Sequence, residues 1–296
     1  MAVNLRVPSS ALYRTIHRQP EIVGRVLTEC AEGAAQAAAL LRGARRVYLA
    51  GTGTSSHAAV VGEHLLRSVG VDAYGMTNFD FVNYPRPLGP DDAIIAISHR
   101  GSKTYGKRAI ALALEAGARV IGLTGQGSAM EGPSVLLGTA PSEESSTHTA
   151  SYTANLAALA LIARSVGAEG SDGRAALDDG LSRLLSVLKH LLTNENAVRP
   201  AAAALAASGR LVLAGAGPNA VTAREGALKV KESSFLVAEG FELETLLHGG
   251  LQAVEAGDLA VVILAAGPAM ERALAAVRAL DLIGARVLVV ADASVA

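Results

Sequence analysis

The sequence contains very little cysteine and few aromatic residues. Of its 296 residues, one is cysteine (Cys30), none is tryptophan and 3% are aromatic. A single cysteine excludes a disulfide framework and a cysteine-ligated metal cluster, and it favours a reducing, cytoplasmic compartment. The apolar half of the chain is therefore mostly small and aliphatic, which suits helices packed closely on a sheet.

The chain also lacks a strong net charge and a long apolar run. Its formal charge is -1, so nothing in the composition favours a nucleic acid or a membrane surface as a partner. No apolar run reaches the roughly 18 residues that a membrane-spanning helix needs, and residues 1–8 lack the apolar core of a signal peptide. We expect a cytoplasmic protein that is long enough for two domains.

The chain does contain an internal repeat. Three segments recur in the same order, 164 to 167 residues later: 47–55 at 211–219, 91–97 at 257–263, and 117–120 at 284–287. Such agreement is hard to obtain by chance, and it indicates two copies of one α/β unit. In each copy apolar, strand-like runs alternate with helical patterns, which predicts a doubly wound parallel sheet flanked by helices.

The predicted elements give three regions: a helical lead-in over 1–44, a first domain over 45–167 and a second domain over 174–296. Strands are predicted at 47–50, 71–75, 92–98, 119–124, 135–139, 211–214, 259–264 and 286–290. Helices are predicted at 21–41, 57–68, 149–166 and 175–192, with further helices ending at Glu115, starting near Val221 and ending at Leu282. Counterparts of residues 135–166 would fall beyond Ala296, so the second copy is expected to be incomplete at its C-terminal end.

Two loops at the carboxyl ends of predicted strands carry groups that bind anions. In Gly53-Thr54-Ser55-Ser56, backbone N–H groups at a helix start and small side chains favour a phosphate. The loop at 98–104 begins with Ser98 and adds His99, Arg100, Lys103 and Thr104. Ligands of open α/β sheets gather at this edge. An ordinary strand–helix turn and a solvated polar turn remain the alternatives.

Nucleotide-binding fingerprints are incomplete in the first of these loops. Gly51-x-Gly53 lacks the third glycine of a dinucleotide motif, and the lysine of a P-loop is absent. We therefore expect no nicotinamide or other nucleotide cofactor. A third polar run, 142–149, precedes a predicted helix and includes Ser146, His148 and Thr149; a simple helix cap with a surface histidine explains it equally well.

A charged segment of the second copy offers groups for proton transfer. Glu225, Lys229 and Glu232 are spaced to share one face of a helix, and His248 lies sixteen residues after Glu232. A carboxylate and a histidine beside an anionic sugar can move a proton between neighbouring carbons and open the ring. The alternative is that the three charged residues form only a salt-bridged helix face and that the histidine lies in an unrelated loop.

Taken in order, these motifs resemble the tandem sugar-isomerase (SIS) domains over about residues 15–292. The branch they resemble most is the isomerase half of glutamine:fructose-6-phosphate aminotransferase. The segments that carry the resemblance are Gly53-Thr54-Ser55, Ser98-x-x-Gly101, Tyr152-Thr153-Ala154-Asn155-Leu156, Glu225-Gly226-Ala227-Leu228-Lys229-x-Lys231-Glu232 and His248-Gly249.

The resemblance implies a phosphosugar isomerase of the synthase, deaminase or deglycase type that needs no metal. Glu232 would be the base that moves a proton between C1 and C2, and His248 would help to open the ring from the neighbouring subunit of a homodimer. The substrate-binding candidates are Gly53, Thr54, Ser55, Ser98, His99, Arg100, Lys103, Thr104, Ser146, His148, Thr149, Glu225 and Lys229.

The sequence departs from the family pattern at three places. Arg100 and Lys103 stand where the family has a hydroxyl-rich cradle, so they would hold phosphate more strongly or receive a second anionic group of the substrate. The family's lysine before the closing helix is Ala150 here. The family's glutaminase domain and its Schiff-base lysine have no counterpart in the sequence, so two alternatives stay open: a subunit that needs a glutaminase partner, and a sugar-phosphate sensor without turnover.

Overall fold

The computed structural model describes residues 10–291 and divides the chain into two compact units, Met1–Thr193 and Asn194–Ala296. No helix within the described range is both long enough and apolar enough to cross a membrane. Each unit is an α/β fold built on a parallel sheet with helices on its faces, as the sequence pattern predicts.

The first unit contains a five-stranded sheet in which every strand pair is parallel. Its strands are β1 (Arg46–Gly51), β2 (Ala73–Thr77), β3 (Asp92–Ile97), β4 (Arg119–Thr124) and β5 (Val135–Gly138). They are ordered β2-β1-β3-β4-β5. The chain moves outward from β1 in one direction to β2 and in the other direction to β3, so the topological switch point lies between β1 and β3.

Helices cover both faces of this sheet, which explains why its strands read as almost continuous apolar runs. Along β1, Val47 and Leu49 enter one hydrophobic core, whereas Tyr48 and Ala50 enter the core on the opposite face. The helices of this unit are α1 (Ala11–His17), α2 (Gln19–Glu29), α3 (Ala31–Leu41), α4 (Thr54–Arg67), α5 (Asn78–Asn83), α6 (Thr104–Glu115), α7 (Ala150–Val166) and α8 (Asp172–Thr193).

The N-terminal helical region is more divided than predicted. The helix expected over 21–41 is two helices, α2 and α3, which meet at the buried Cys30. The long helix α8 packs on α2 and α7 of the first unit through leucines such as Leu181 and Leu184. The division into compact units thus falls at Thr193, later in the chain than the linker expected at 167–173.

The second unit contains a four-stranded parallel sheet in the order β7-β6-β8-β9. Its strands are β6 (Arg210–Gly215), β7 (Val237–Glu242), β8 (Leu259–Leu264) and β9 (Arg286–Ala291). Its helices are α9 (Arg199–Ser208), α10 (Pro218–Ser234), α11 (Leu243–Leu247) and α12 (Met270–Ile283), with 3₁₀ turns at Glu195–Val198 and Gly250–Ala253. Its switch point lies between β6 and β8, the counterparts of β1 and β3 in the repeat.

Each unit also contains a carboxylate that joins the starts of its two central strands. The fully buried Asp92 carboxylate accepts hydrogen bonds from Arg45 at 2.9 Å and from the Gly89 N–H at 2.9 Å. In the second unit Asp258 accepts the Glu255 N–H at 2.9 Å and lies 3.5 Å from Arg210. In both turns the carboxylate accepts the N–H of the residue three positions before it and lies near an arginine at the start of the neighbouring strand.

Replacing Asp92 by alanine should lower the free energy of unfolding of the first unit by about 3 kcal/mol, because the change leaves Arg45 and Arg46 without their buried partner. This loss is at the low end of the range for broken buried ion pairs, since the partly exposed Arg45 can be hydrated. Chemical denaturation of D92A would measure the loss. Asp91→Ala, at the exposed neighbouring position, is the control. Equal stability of the two variants would contradict this role of Asp92.

Candidate functional site

The carboxyl edge of the first sheet brings two of the predicted loops next to each other. β1 and β3 are adjacent and in register, with Ala50 opposite Ala96, so the loops that follow them start side by side at the switch point. Each loop leads directly into the N-terminus of a helix, α4 after β1 and α6 after β3. Backbone N–H groups of both helix starts therefore face this edge, where a phosphate is most easily bound.

The loop after β1 is compact because two glycines permit it. A side chain at Gly51 would place Cβ 2.2 Å from the Ser55 carbonyl oxygen, so only glycine lets the strand pass this close to the helix. Gly53 is the N-cap of α4 and has a φ of 60°, the left-handed region that glycine adopts readily. The cap is the glycine backbone rather than a serine side chain, and Ser56 donates its hydroxyl to the Gly53 carbonyl at 2.7 Å. Thr54 and Ser55 lie in the first turn of α4.

The loop after β3 combines a buried hydroxyl with exposed positive charge. Ser98 is 8% exposed and continues β3 through a hydrogen bond from its N–H to the Leu123 carbonyl. Arg100 and Lys103 are exposed, and neither makes an ion pair with a described residue. Thr104 is the exposed first residue of α6, whose first turn contains no acidic residue. The loop is therefore suited to an anion.

His99 is the most constrained residue of this loop. Its carbonyl accepts hydrogen bonds from the Gly125 N–H at 2.9 Å, the Ser128 hydroxyl at 2.9 Å and the Thr124 hydroxyl at 3.3 Å. Its ring lies edge-to-face with the ring of His148, with centroids 5.2 Å apart. The structure therefore brings together two predicted site residues that are 49 positions apart in the sequence.

The run at 142–149 is organised by Glu143, which sequence reasoning did not single out. Its side chain is 2% exposed and accepts the N–H groups of Thr149, Ala150 and Ser151 at 2.9, 3.2 and 2.8 Å. Glu143 thus caps α7 in place of the N-cap residue Thr149, which makes no side-chain cap bond.

The histidine of this run lies beside Glu143: His148 Nδ1 is 3.7 Å from the Glu143 carboxylate and 3.4 Å from the Ser151 hydroxyl. Ser146, by contrast, is exposed.

Two ionisable groups of this site, the enclosed carboxylate of Glu143 and the half-buried His99, have shifted pKa values. Burial alone would raise the pKa of Glu143, but hydrogen bonds from Ser151 and Thr149 outweigh it and hold that pKa below its usual value. Burial lowers the pKa of His99, and the nearby His148 lowers it further. Glu143 is therefore a carboxylate and His99 a neutral imidazole at pH 7.

Glu143→Gln should lower the free energy of unfolding at pH 7 by about 1–3 kcal/mol, because an amide cannot replace a carboxylate that accepts three backbone N–H groups. The pKa of Glu143 is lowered by folding, so its contribution is fully present above its ordinary pKa and disappears as pH falls through the lower, folded value. Denaturation of both proteins from neutral to acidic pH would show the two curves converging. Glu144→Gln at the exposed neighbouring position is the control, and a pH-independent gap would contradict the account.

In the second unit the predicted helix face is present as an ion-pair network on α10. Lys229 Nζ lies 2.6 Å from the Glu232 carboxylate and 3.4 Å from the Glu225 carboxylate. Glu225 is buried, whereas the Glu232 side chain is 36% exposed and therefore remains accessible to a ligand. The i, i+4 and i+7 spacing is thus realised as expected.

The structure separates Glu232 from His248 within one chain. Glu232 lies near the end of α10, just before β7 begins at the amino edge of the sheet, whereas His248 follows β7 and α11 at the carboxyl edge. The six residues of β7 span about 20 Å between these edges. The His248 side chain is 72% exposed and lies 3.0 Å from Glu244, so it faces outward from its own unit.

Two further features of the switch points were not predicted from sequence. In the first unit Asn78, 2% exposed at the start of α5, donates to the Thr52 hydroxyl at 3.1 Å and so holds the loop after β1 in place. In the second unit a cavity of about 270 Å³ lies between the loops after β6 and β8, and among its lining residues only Asn219 is polar. That lining does not suit a phosphate, which makes the first unit the better anion site.

Within residues 10–291, no group of three or more His, Cys, Asp or Glu side chains is arranged to hold a metal ion.

Sequence comparisons identify relatives along most of the chain. The SIS domain family matches residues 40–165 and 204–294. The chain is 32% identical over 265 residues to a glutamine–fructose-6-phosphate aminotransferase [isomerizing] of Aeropyrum pernix, covering 83% of this chain and 42% of that protein. It is 28% identical over 271 residues to the enzyme of the same name from Pyrococcus horikoshii, covering 89% and 45%. The chain thus spans less than half the length of these relatives.

Solved structures show the same fold. The C-terminal domain of glucosamine-fructose-6-phosphate aminotransferase from Francisella tularensis superposes with a TM-score of 0.84 at 18% identity, covering 99% of this chain and 86% of that one. Glucosamine-6-phosphate deaminase from Thermotoga maritima gives a TM-score of 0.76 at 18% identity, covering 95% and 85%. The two parallel α/β units and this match over most of the sequence lead to one conclusion: the chain belongs to the SIS domain family and is related to the isomerase domain of these aminotransferases.

Proposed function

We propose that this protein binds a ketose phosphate or amino-sugar phosphate and catalyses proton transfer between C1 and C2, coupled to gain or loss of an amine. One observation carries the proposal: the loops after β1 and β3 begin side by side at a switch point, and both lead into helix N-termini. Thr54, Ser55 and Ser98 supply hydroxyl groups there, and Arg100 and Lys103 supply charge. This combination suits a phosphoryl group.

Glu232 is the proposed base. Its side chain is accessible on α10, where a carboxylate can accept a carbon-bound proton, and it lies 2.6 Å from Lys229 Nζ. A single base is sufficient for this reaction, since one carboxylate can remove the proton from C1 and return it to C2. His248 is the proposed ring-opening residue, and its distance from Glu232 within one chain favours action in the site of a second subunit. The proposal therefore includes a homodimer with shared sites.

The proposal is tested with a panel of sugars. Fructose 6-phosphate and glucosamine 6-phosphate should bind and interconvert with their aldose or ketose partners in NMR spectra, whereas fructose without a phosphate should not bind. Ammonium should serve as the nitrogen donor, and glutamine should serve only when a separate glutaminase partner is added. Lack of binding by every phosphorylated sugar would refute the proposal.

A second candidate is a sugar-phosphate sensor without turnover. Two observations favour it: Lys229 holds the Glu232 carboxylate in a close ion pair, and Ala150 stands where the resembling family has a lysine. A ligand that binds only the folded state raises the melting temperature by mass action. A melting shift with fructose 6-phosphate, together with no product in the same sample, would select this candidate over the enzyme.

A further inference from the structure

An ion-pair network at the carboxyl edge of the second sheet joins His248 to α12. Arg272, in the first turn of α12, donates from both Nε and Nη2 to the Glu244 carboxylate on α11, and the Nη2 contact measures 2.9 Å. The same carboxylate lies 3.0 Å from His248 Nε2. A guanidinium that binds a carboxylate through two parallel hydrogen bonds fixes its orientation as well as its position.

The backbone under this network is well anchored. Leu243 and Leu246 of α11 are buried in the core of the second unit, and the His248 N–H donates to the Glu244 carbonyl at 2.8 Å. The side chains of Glu244 and His248 therefore lie one helical turn apart above an apolar base. Because these two side chains are 50% and 72% exposed, the network remains open to a ligand or to a second subunit.

The contact with Glu244 decides which ring nitrogen of His248 carries the proton. A carboxylate only accepts hydrogen bonds, so a bare Nε2 at 3.0 Å would place two lone pairs against each other. Arg272 Nη2 is also near Nε2, at 3.4 Å, but it already donates to Glu244 at the shorter distance of 2.9 Å. The proton of the neutral ring therefore lies on Nε2. Nδ1 makes no hydrogen bond with a described residue and is left as the acceptor.

We propose that Glu244 and Arg272 are positioning residues for ring opening by His248, and that Nδ1 is the atom that exchanges the proton with the sugar. The inference rests on the proposed function and makes it more specific. Nδ1 takes the proton of the anomeric hydroxyl, the ring C–O bond breaks as the carbonyl forms, and Nδ1 returns the proton to the released ring oxygen. The imidazole begins and ends neutral, so the step needs no other reactant.

The two positioning residues have different parts in this step. The Glu244 carboxylate keeps the proton on Nε2 and stabilises the imidazolium that forms between the two proton transfers. Arg272 acts on Glu244, since its hydrogen bonds lower the pKa of that carboxyl and keep it ionised. A glutamine at 244 could turn its amide NH₂ toward Nε2, which favours the opposite tautomer. Both residues should therefore affect ring opening and not the proton transfer by Glu232.

An open-chain substrate separates ring opening from the later steps. 5-Deoxyfructose 6-phosphate lacks the hydroxyl that closes the ring, so its C1 hydrogens can exchange in D₂O without His248. Glu244→Gln should slow the entry of deuterium at C1 of fructose 6-phosphate by about 10- to 100-fold, toward the low end of the value of an acid–base catalyst because the imidazole remains. Exchange in the 5-deoxy sugar should be unchanged. Equal slowing with both sugars, or with neither, would overturn the inference.

Matched variants test whether the effect passes through His248. Arg272→Gln should slow exchange in fructose 6-phosphate as Glu244→Gln does, and Arg272→Lys, which keeps the charge but not the two-point contact, should recover part of the rate. Arg278→Gln, at an exposed arginine further along α12, and Glu271→Gln are the controls and should leave the rate unchanged. His248→Gln should be slowed no further when Glu244→Gln is added, and additive losses would contradict a positioning role.

Nitrogen-15 NMR of the neutral His248 ring gives a readout that a purely structural role would not change. Nε2 should be protonated and Nδ1 bare, and Glu244→Gln should remove this preference; a proton on Nδ1 of the unaltered protein would overturn the inference. If the unaltered protein exchanges deuterium into neither sugar, the proposed function fails and the inference fails with it. If it exchanges both and folded Glu244→Gln does so equally fast, only the inference fails. Thermal unfolding establishes that each variant is folded.

Discussion

Replacement of Glu232 by glutamine is expected to lower turnover by about 10²- to 10⁴-fold, which is the usual contribution of a positioned general base. The amide has nearly the same shape but cannot accept the carbon-bound proton. Its partner Lys229 still pairs with Glu225, so the helix should remain folded. Affinity for fructose 6-phosphate should change little, because the proposed phosphate site is on the first unit. Steady-state turnover and equilibrium binding, measured on the same preparation, check both parts.

Glu271→Gln is the matched control for this experiment. Glu271 is an exposed glutamate in the first turn of α12, in the same unit as Glu232, and the proposed reaction does not use it. Turnover of that variant should equal that of the unaltered protein. Unchanged turnover of Glu232→Gln would remove Glu232 from the mechanism, and an equal loss in both variants would show that the effect is not specific to the base.

A second large effect is expected at Gly51. Alanine there would place Cβ 2.2 Å from the Ser55 carbonyl oxygen and 2.6 Å from the Ser56 nitrogen, so the first turn of α4 must move. Because that turn forms one side of the proposed phosphate site, affinity for fructose 6-phosphate should fall by about 10- to 100-fold, the value of one hydrogen bond to a charged group. Calorimetric titration of the folded variant would measure the loss.

Gly215→Ala in the second unit is a control that creates the same kind of steric clash. Gly215 occupies the matching position after β6, and alanine there would place Cβ 2.4 Å from the Asn219 carbonyl oxygen. Both variants should lose about 1–3 kcal/mol of stability from overpacking. Only Gly51→Ala should lose affinity, since the cavity beside Gly215's loop is apolar. Weaker binding in Gly215→Ala, with normal binding in Gly51→Ala, would place the phosphate on the second unit.

The central strands could be predicted from sequence because they are buried on both faces. β1, β3 and β4 appear as apolar runs close to their true bounds, and the order of alternating elements was sufficient to predict two parallel sheets. β7 was not predicted. Its sequence VAEGFE mixes two glutamates and a glycine, and as an edge strand it pairs only with β6 among the described strands, so a continuous apolar run is not required.

The helix boundaries were harder to predict from sequence, because tertiary packing and local capping determine them. The break between α2 and α3 at Cys30 was not predicted, because the residues on both sides of it keep a helical pattern and both segments pack on α7. α5 is too short for helical periodicity, and its start is set by Thr77, whose side chain accepts the Asp80 N–H at 3.0 Å. Polar residues in a turn indicate that a cap can form there, but which residue caps the helix depends on the local backbone geometry.

In the candidate site, too, individual residues could be predicted from sequence but their contacts could not. His99 and His148 could be suggested individually, because polar residues after strands gather at one sheet edge, but their contact depends on tertiary structure. Gly125 could not be singled out, since its role is to leave room for a ring that comes from a different loop. Glu143 left one usable signal, a carboxylate shortly before a helix start rich in serine and threonine.

Exchange of hydrogen for deuterium tests the central claim most directly. The protein is incubated with fructose 6-phosphate or glucosamine 6-phosphate in D₂O, and the carbon-bound hydrogens of the sugar are followed by NMR. Removal and return of a proton by Glu232 predicts that deuterium enters at C1 or C2, and that Glu232→Gln blocks its entry. A sugar phosphate that binds tightly and acquires no deuterium would contradict the assignment of this chain as an isomerase.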